Sequence, residues 1–507
     1  MSETKTSDKT IFNISKEKNL SDWYSEILKT ADLVDLRYNV KGFLVHRPYV
    51  MKIIKKIYEI WEGALEEKGH EPVLFPVVIP PENFEMEKEH VEGFTPEVFW
   101  VTEAGGDKLT VKLALRPTSE TAFYQMYNLW IRSYTDLPLK SYQSCAVYRH
   151  ETKATKPLVR GREFLWIEAH DAFATEKEAR AQVAQDMEIT KKVLYDALGI
   201  PFIFFKRPSW DKFKGAEETY AADSLMPDGK LLQLPSTHYF AQRFSKPFDI
   251  KFEDSDGNKK YVHTTSYGPP IWRTVAALVM VHGDDRGLVL PFAVAPVQVV
   301  IVPILYKGKE KAVAEKCKKI VDVLGREGIR VKLDDSDKNP GEKYYYWEMK
   351  GVPIRLEIGP RDVSEGVVVA VRRDTGSKEK VKDEKLAERL TEIADDTLKN
   401  LRERAEKRMM GSIKKAATLK EIETIVETGI AKVNFCSTDA TGEACAEKIK
   451  EIGGEVRGTW FGKDDDVNPL GSSPTTNVSR NNDGVNPKGC VVCGKKAKCV
   501  VYVGRAY

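Results

Sequence analysis

Arg149 and Glu151 stand two residues apart in Tyr148-Arg149-His150-Glu151, and beyond a basic loop Arg160 and Phe164 stand four apart in Arg160-Gly161-Arg162-Glu163-Phe164. Alternate residues of a strand share a face, so a strand running through Tyr148 would turn Arg149 and Glu151 toward one site. A guanidinium grips phosphate oxygens through its planar fork, a carboxylate accepts from an adenine amino group, and an aromatic ring stacks on the base. These residue types in this order predict an ATP site without a Walker loop. An exposed basic hairpin would account for Lys153, Lys156 and Arg160, but not for the ordered Arg, Glu, Phe, Trp, Glu and His that follow one another here.

Two further groups carry chemistry. Thr118 and Glu120 in Arg116-Pro117-Thr118-Ser119-Glu120 can hold a cationic amine between a hydroxyl and a carboxylate, or simply cap a helix. Cys490-Val491-Val492-Cys493 is a Cys-x2-Cys knuckle, and Cys436 and Cys445 complete four thiolates suited to a structural, tetrahedral Zn²⁺, with Cys499 able to compete. Seven cysteines, five of them from Cys436 onward, argue against a disulfide framework.

The elements that must position these residues can be read from periodicity. Ile53, Ile54, Ile57, Trp61 and Leu65 share one face of a helix expected over Tyr49 to Lys68, which stops at Gly69 before a strand from Val73 to Ile79. Strands are expected at Leu113 to Leu115, Phe164 to Ile167, Leu231-Leu232 and before Arg273, with helices from Thr175 to Leu198 and from Val275 to Val281. From Val299 strands and helices alternate up to a charged helix spanning Lys382 to Arg408, an α/β signature. The stretch from Asp464 to Gly489, rich in Asn, Ser, Gly and Pro, reads as a loop.

At 507 residues the chain needs several domains. The predicted division is a polar tail (1–18), a catalytic domain (19–295), a second α/β domain (296–408) and a cysteine-bearing C-terminal domain (409–507). A net charge of +3 with 31% charged residues excludes a uniform positive field, so any RNA contact must be local. No stretch approaches the roughly 20 apolar residues of a membrane span, and the polar first residues contain no signal-like apolar core, so a cytoplasmic protein away from membranes is expected.

The Arg/Glu…Arg/Phe arrangement resembles motif 2 of class II aminoacyl-tRNA synthetases. Val159 to His170 is similar in particular to prolyl-tRNA synthetases of the archaeal and eukaryotic type, and the likeness extends over nearly all the chain. The resemblance implies an α+β fold: an antiparallel catalytic sheet, an α/β anticodon-binding domain and a small C-terminal zinc-binding α/β domain. It makes the helix, strand and Pro of 49–79 a motif 1 through which a homodimer forms. It implies proline activation with ATP and Mg²⁺ and transfer to tRNA(Pro), with in-line attack of the proline carboxylate on the α-phosphate and no general base. A class II paralogue that does not charge tRNA, and a zinc-containing RNA-binding module, are the competing readings.

By the same resemblance, Arg149 and Arg273 are the catalytic cations, and Arg149, Glu151, Arg160, Phe164, Gln233, Ser236 and Arg273 bind ATP. Phe94, Glu97, Thr118, Glu120, Arg149, Trp166, Glu168, His170, Phe213, His238, Ser266 and Gly268 fall at proline-pocket positions. Glu348, Lys350 and Arg355 would read anticodon bases. The chain departs from the family in several places, among them Ser236-Thr237, the segment from Glu217 to Asp223 and the wide spacing of Cys436 and Cys445. Four residues, including Pro269-Pro270, separate Gly268 from Arg273 in motif 3 where three are usual, so either a bulge delivers Arg273 or Pro269 reshapes the pocket floor. Pro235 replaces a Gly between Gln233 and His238 and removes an N–H donor there.

Overall fold

The computed structural model describes residues 14–85, 98–461 and 489–507. Residues 1–13 of the expected tail, and the expected loop from Asp464 apart from Gly489, lie outside the described residues, as do Phe94 and Glu97. The chain divides into two compact units, one comprising residues up to 35, 46–53 and 278–401, the other 36–45, 54–277 and 402–507.

In the second unit the helix Pro48–Glu66 contributes the apolar face its periodicity predicts: Ile54, Ile57, Trp61 and Leu65 are all fully buried. Gly69 follows with φ +84°, the left-handed region that glycine enters without a Cβ penalty. The single strand expected over Val73 to Ile79 is instead two short pieces, Glu71–Pro72 and Val78–Ile79. Pro76 lacks a ladder donor, and the Phe75 N–H is taken by Gln143 Oε1 at 3.0 Å, so the chain leaves the sheet between them.

Eleven strands form one sheet, and their spatial order differs from chain order. Near one end lies an antiparallel hairpin, Leu139–Tyr148 against Glu163–Phe173, in register from Leu139↔Ala172 to Tyr148↔Glu163. His263–Gly268 pairs with the second of these strands, Leu231–Ala241 with His263–Gly268, Glu218–Leu225 with Leu231–Ala241, and Ile203–Lys206 with Glu218–Leu225. Pro235 is tolerated in an inner strand because the pairing slips there: Ala221 faces Ser236 but Asp223 faces Gln233. The missing N–H falls at a bulge, where no ladder bond is due.

The helix predicted from Thr175 is α-helical over Glu176–Thr190, with Thr175 and Glu178 forming a capping box, and then widens into a π-helical turn, Lys191–Ala197.

The sheet continues into the C-terminal segment. Glu455–Trp460 pairs antiparallel with Ile203–Lys206, and Cys499–Gly504, Ile430–Phe435 and Ile413–Lys415 follow outward. At this seam Gly458 has φ +119°, and a Cβ there would stand 2.0 Å from the Lys206 carbonyl oxygen, so only glycine fits.

In the first unit, five strands run in the order Val331–Leu333, Val299–Pro303, Ile354–Ile358, Val367–Arg372, Lys378–Lys382, with helices Glu310–Arg326 and Pro340–Met349 between them. The last strand was missed, and the charged helix begins at Leu386 instead of Lys382. Lys378-Glu379-Lys380-Val381-Lys382 offers one apolar residue, as a lysine-protected edge strand does.

Candidate active site

One cavity of about 370 Å³ opens on the central sheet. Motif 2 supplies Arg149, Glu151, Arg160, Phe164 and Trp166, the Leu231–Ala241 strand supplies Gln233, Ser236 and His238, and the strand-helix junction supplies Ser266, Gly268 and Arg273. Thr118, Glu120 and Phe213 line it as well.

Arg149 and Glu151 reach the cavity by a different route from the one their spacing suggests. The strand ends at Tyr148, and both residues sit in a tight turn in which the Glu151 N–H donates to the Arg149 carbonyl at 2.7 Å. Arg149 Nε donates to the Pro117 carbonyl at 3.0 Å, and its guanidinium lies 5.2 Å from the Phe164 ring centre and 5.8 Å from that of Trp166.

The two prolines before Arg273 form the junction itself. Pro269 O accepts from Ile167 N–H at 2.9 Å, and Pro270 O accepts the Thr274 N–H and hydroxyl, each at 2.9 Å. The helix therefore starts at Ile271, earlier than predicted, and Arg273 lies in its first turn. Its guanidinium is held by Val159 O at 3.1 Å and Gln233 O at 3.2 Å. Burial, together with the charges of Arg149 and Arg160, brings its pKa down to about 10. The cation persists at neutral pH in a crowd of like charge, which a polyanion would relieve.

Glu168 and His170 need correction: neither is among the cavity's lining residues. Glu168 is buried behind Thr118, accepting from Thr118 Oγ1 at 3.1 Å, Ser119 N–H at 3.0 Å and Gln143 Nε2 at 2.7 Å, with His170 Nε2 at 3.3 Å. Burial alone would raise its pKa, yet the His170 contact and the Ser119 donors outweigh it and bring it to about 2. These donors leave it holding Thr118 in place, while His170 packs 4.5 Å from the Phe123 ring. His238 is fixed through both nitrogens, by Thr219 Oγ1 at 3.0 Å and Ser236 Oγ at 3.1 Å, with the Phe213 ring 4.8 Å away.

Sequence reasoning missed Arg207, Asp211, Thr219 and Trp272 on the cavity wall. Arg207 carries no motif. It donates to Asp223 at 2.6 and 3.0 Å and to Gln233 Oε1 at 3.1 Å, and Arg457 from the C-terminal segment meets the same Asp223 at 2.8 Å. Trp272 explains Gly161, where a Cβ would stand 2.6 Å from the indole. Tyr507 was also missed: its main-chain oxygen accepts from Arg160 at 2.7 Å, and Lys156 and Lys230 stand 4.7 and 5.4 Å from its ring.

Away from the cavity, ligand atoms of Cys436, Cys445, Cys490 and Cys493 all lie within 4.8 Å of one another. Thiolates about 2.3 Å from a tetrahedral zinc stand roughly 3.8 Å apart, so this set fits the ion. Cys499 instead approaches the Phe435 carbonyl, at 3.6 Å.

The three residues expected to read bases are differently placed. Lys350 is buried, donating to Ala31 O at 2.7 Å beside the Tyr49 ring, and Arg355 is paired with Glu357 and Glu348, each at 3.0 Å, over the Tyr344 ring. Both charges are neutralised inside the fold. Glu348 keeps partial exposure, and the large exposed side chains nearby are Tyr345 and Tyr346.

Comparison with known proteins agrees with this layout. Residues 99–282 match the tRNA synthetase class II core domain (G, H, P, S and T), residues 298–393 the anticodon binding domain, and residues 419–507 the prolyl-tRNA synthetase C-terminal domain. The proline–tRNA ligase of Thermofilum pendens is 53% identical over 500 residues, spanning 97% of this chain and 98% of the relative. That of Methanopyrus kandleri is 43% identical, spanning 96% of each. The structure of Giardia lamblia prolyl-tRNA synthetase in complex with prolyl-adenylate superposes with a TM-score of 0.90 at 35% identity, covering 97% of this chain and 99% of that one. With such identity over almost its whole length, the chain belongs to the prolyl-tRNA synthetases, a family of class II aminoacyl-tRNA synthetases.

Proposed function

We propose that this chain activates L-proline with ATP and passes the prolyl group to the 3′ end of tRNA(Pro). The observation that carries the reading is a single cavity lined both by guanidiniums from Arg149, Arg160, Arg207 and Arg273 and by Thr118, Glu120, Trp166 and Phe213. ATP enters as its Mg²⁺ complex. The proline carboxylate oxygen attacks the α-phosphorus, the bond to the bridging oxygen of the β-phosphate breaks, and pyrophosphate leaves. Arg149 and Arg273 stabilise the charge on the transferring phosphoryl group, and the remaining contribution is alignment. A terminal ribose hydroxyl of the tRNA then attacks the carbonyl carbon, and AMP departs. Phe164 stacks on adenine while Glu151 accepts from its amino group, and Gln233 and Ser236 complete the nucleotide contacts.

Trp166 and Phe213 cover the pyrrolidine ring, the Thr118 oxygen and Glu120 accept its two N–H donors, and His238, Ser266 and Gly268 line the floor. Glu168 and His170 are positioning residues. Amino-acid-dependent ATP–pyrophosphate exchange over all twenty amino acids tests this reading. Alanine lacks two methylenes, each worth about 1–3 kcal/mol in an apolar pocket, so proline is expected to exceed alanine by about 10²-fold or more. Faster exchange with another amino acid would overturn the substrate, and exchange without tRNA charging would favour a paralogue outside translation.

Cys436, Cys445, Cys490 and Cys493 would hold a structural Zn²⁺, whose closed four-thiolate shell supplies cross-linking and no catalysis. About one zinc per chain is expected at the cysteines, and Cys490→Ala is expected to release it. Unchanged zinc content in that variant would rule out this ligand set. Leu74 is 79% exposed and Val77 41% exposed beside the motif 1 helix, which supports a homodimer formed there. Among the described residues no helix is long and apolar enough to cross a membrane. Action on tRNA supports a cytoplasmic location. Base reading falls to Tyr345 and Tyr346 by stacking, in place of Lys350 and Arg355.

A further inference from the structure

Behind the catalytic sheet, His70, Asp171 and Asp186 converge from three separate segments, and all three side chains are buried. His70 follows the motif 1 helix, Asp171 lies on the second motif 2 strand, and Asp186 lies on the helix Glu176–Thr190. Nothing in the proline or ATP chemistry uses them.

The tautomer of His70 is decided by geometry. Nδ1 stands 3.1 Å from the Leu65 carbonyl oxygen, which can only accept, so Nδ1 carries the proton. Nε2 faces Asp171 Oδ2 at 3.4 Å. Gln182 Nε2 stands 3.5 Å from the same nitrogen, at the outer limit of a hydrogen bond, and a lone pair opposite a carboxylate favours a positive particle between the two. Were that particle a proton, the charge-assisted hydrogen bond should close to about 2.7–2.9 Å. Ligands about 2.0–2.1 Å from a tetrahedral ion stand roughly 3.4 Å apart. Holding a ligating imidazole by its Nδ1–H on a backbone carbonyl is also the usual outer-shell arrangement of metal-bound histidine.

The remaining atoms agree. The candidate ligand atoms of His70, Asp171 and Asp186 all lie within 4.8 Å of one another. Asp186 is oriented by the Thr237 hydroxyl at 2.6 Å and Gln182 Nε2 at 2.7 Å, and Asp171 Oδ2 also accepts from Thr265 Oγ1 at 3.2 Å. Asp171 Oδ1 and Gln182 Oε1 are buried and accept no hydrogen bond from the described residues. Two buried carboxylates and a neutral imidazole carry a charge of −2, which a divalent cation cancels.

We propose that His70 Nε2, Asp171 and Asp186 bind a divalent transition cation, zinc-like in its ligand preference, as a second metal site independent of the cysteines. One imidazole and two carboxylates match zinc chemistry. The ion would tie the helix Glu176–Thr190 and the segment at His70 to the second motif 2 strand, Glu163–Phe173. It takes no part in bond breaking.

The test is an anomalous difference map at the zinc edge from crystals of the full chain equilibrated with Zn²⁺. Two peaks per chain are expected, one among the four cysteines and one between His70 Nε2 and Asp186. Asp186→Asn, which preserves shape, should remove the second peak and lower zinc content from about two to about one per chain. A peak at the cysteines alone in the wild-type protein overturns the proposal and leaves an imidazolium with a shared proton in its place. The wild-type map decides the matter even if the variant does not fold.

Discussion

Arg149→Ala is expected to lower proline-dependent ATP–pyrophosphate exchange by about 10²-fold or more, with the loss mainly in kcat. The guanidinium is anchored by the Pro117 carbonyl at 3.0 Å and bracketed by the Phe164 and Trp166 rings, so its charge is oriented before substrate arrives. A preoriented cation is worth most where charge develops in the transition state, and alanine leaves water to reorganise there instead. Because Arg149 faces a cavity, the melting temperature should stay close to wild type. Exchange within a few-fold of wild type would refute the role.

Asp223→Ala is expected to destabilise the unit that carries the active site by about 3–5 kcal/mol, read as a fall in the urea midpoint. Asp223 is fully buried and is the shared partner of Arg207 and Arg457, so its removal takes the buried carboxylate from two buried guanidiniums at once and leaves them the more exposed Asp211 and Glu455. Burial raises its pKa, but the two arginines outweigh that and the net shift is downward. A depressed carboxyl gives stability that is present above the usual carboxylate range and is lost only as pH falls through the lowered value. The gap between Asp223→Ala and wild type should therefore be full at pH 7 and shrink in strong acid. A change below about 1 kcal/mol would place Asp223 among weakly coupled surface ion pairs.

Much of this was legible because motif residues answer to local constraints. Arg149, Glu151, Phe164 and Trp166 are held by one hairpin, and the hairpin is written in contiguous sequence. What stayed hidden depends on distant pairing. Arg207 belongs to the cavity only because Asp223 and Gln233 come alongside it, and no spacing announces that. Lys350 and Arg355 look like surface charges in sequence, yet inside the fold Lys350 donates to the Ala31 carbonyl beside Asp32, and Glu348 and Glu357 pair with Arg355. Glu168 was read as a substrate ligand because its type suits an amine, but its donors come from Thr118, Ser119 and Gln143, which bring it behind the wall. The strand Lys378–Lys382 escaped because an edge strand conceals its period under lysine.

The seam between Ile203–Lys206 and Glu455–Trp460 also sets an order of events during synthesis. About 250 residues separate the two strands in the chain. At about 5–20 residues per second, the catalytic sheet waits tens of seconds on the ribosome with that edge unpaired. The edge is apolar: Phe202, Ile203, Phe204 and Phe205 are all fully buried in the finished protein. A nascent chain stopped short of Glu455 thus presents a sticky strand to its neighbours, and the cysteine-bearing end serves the young enzyme as its own chaperone.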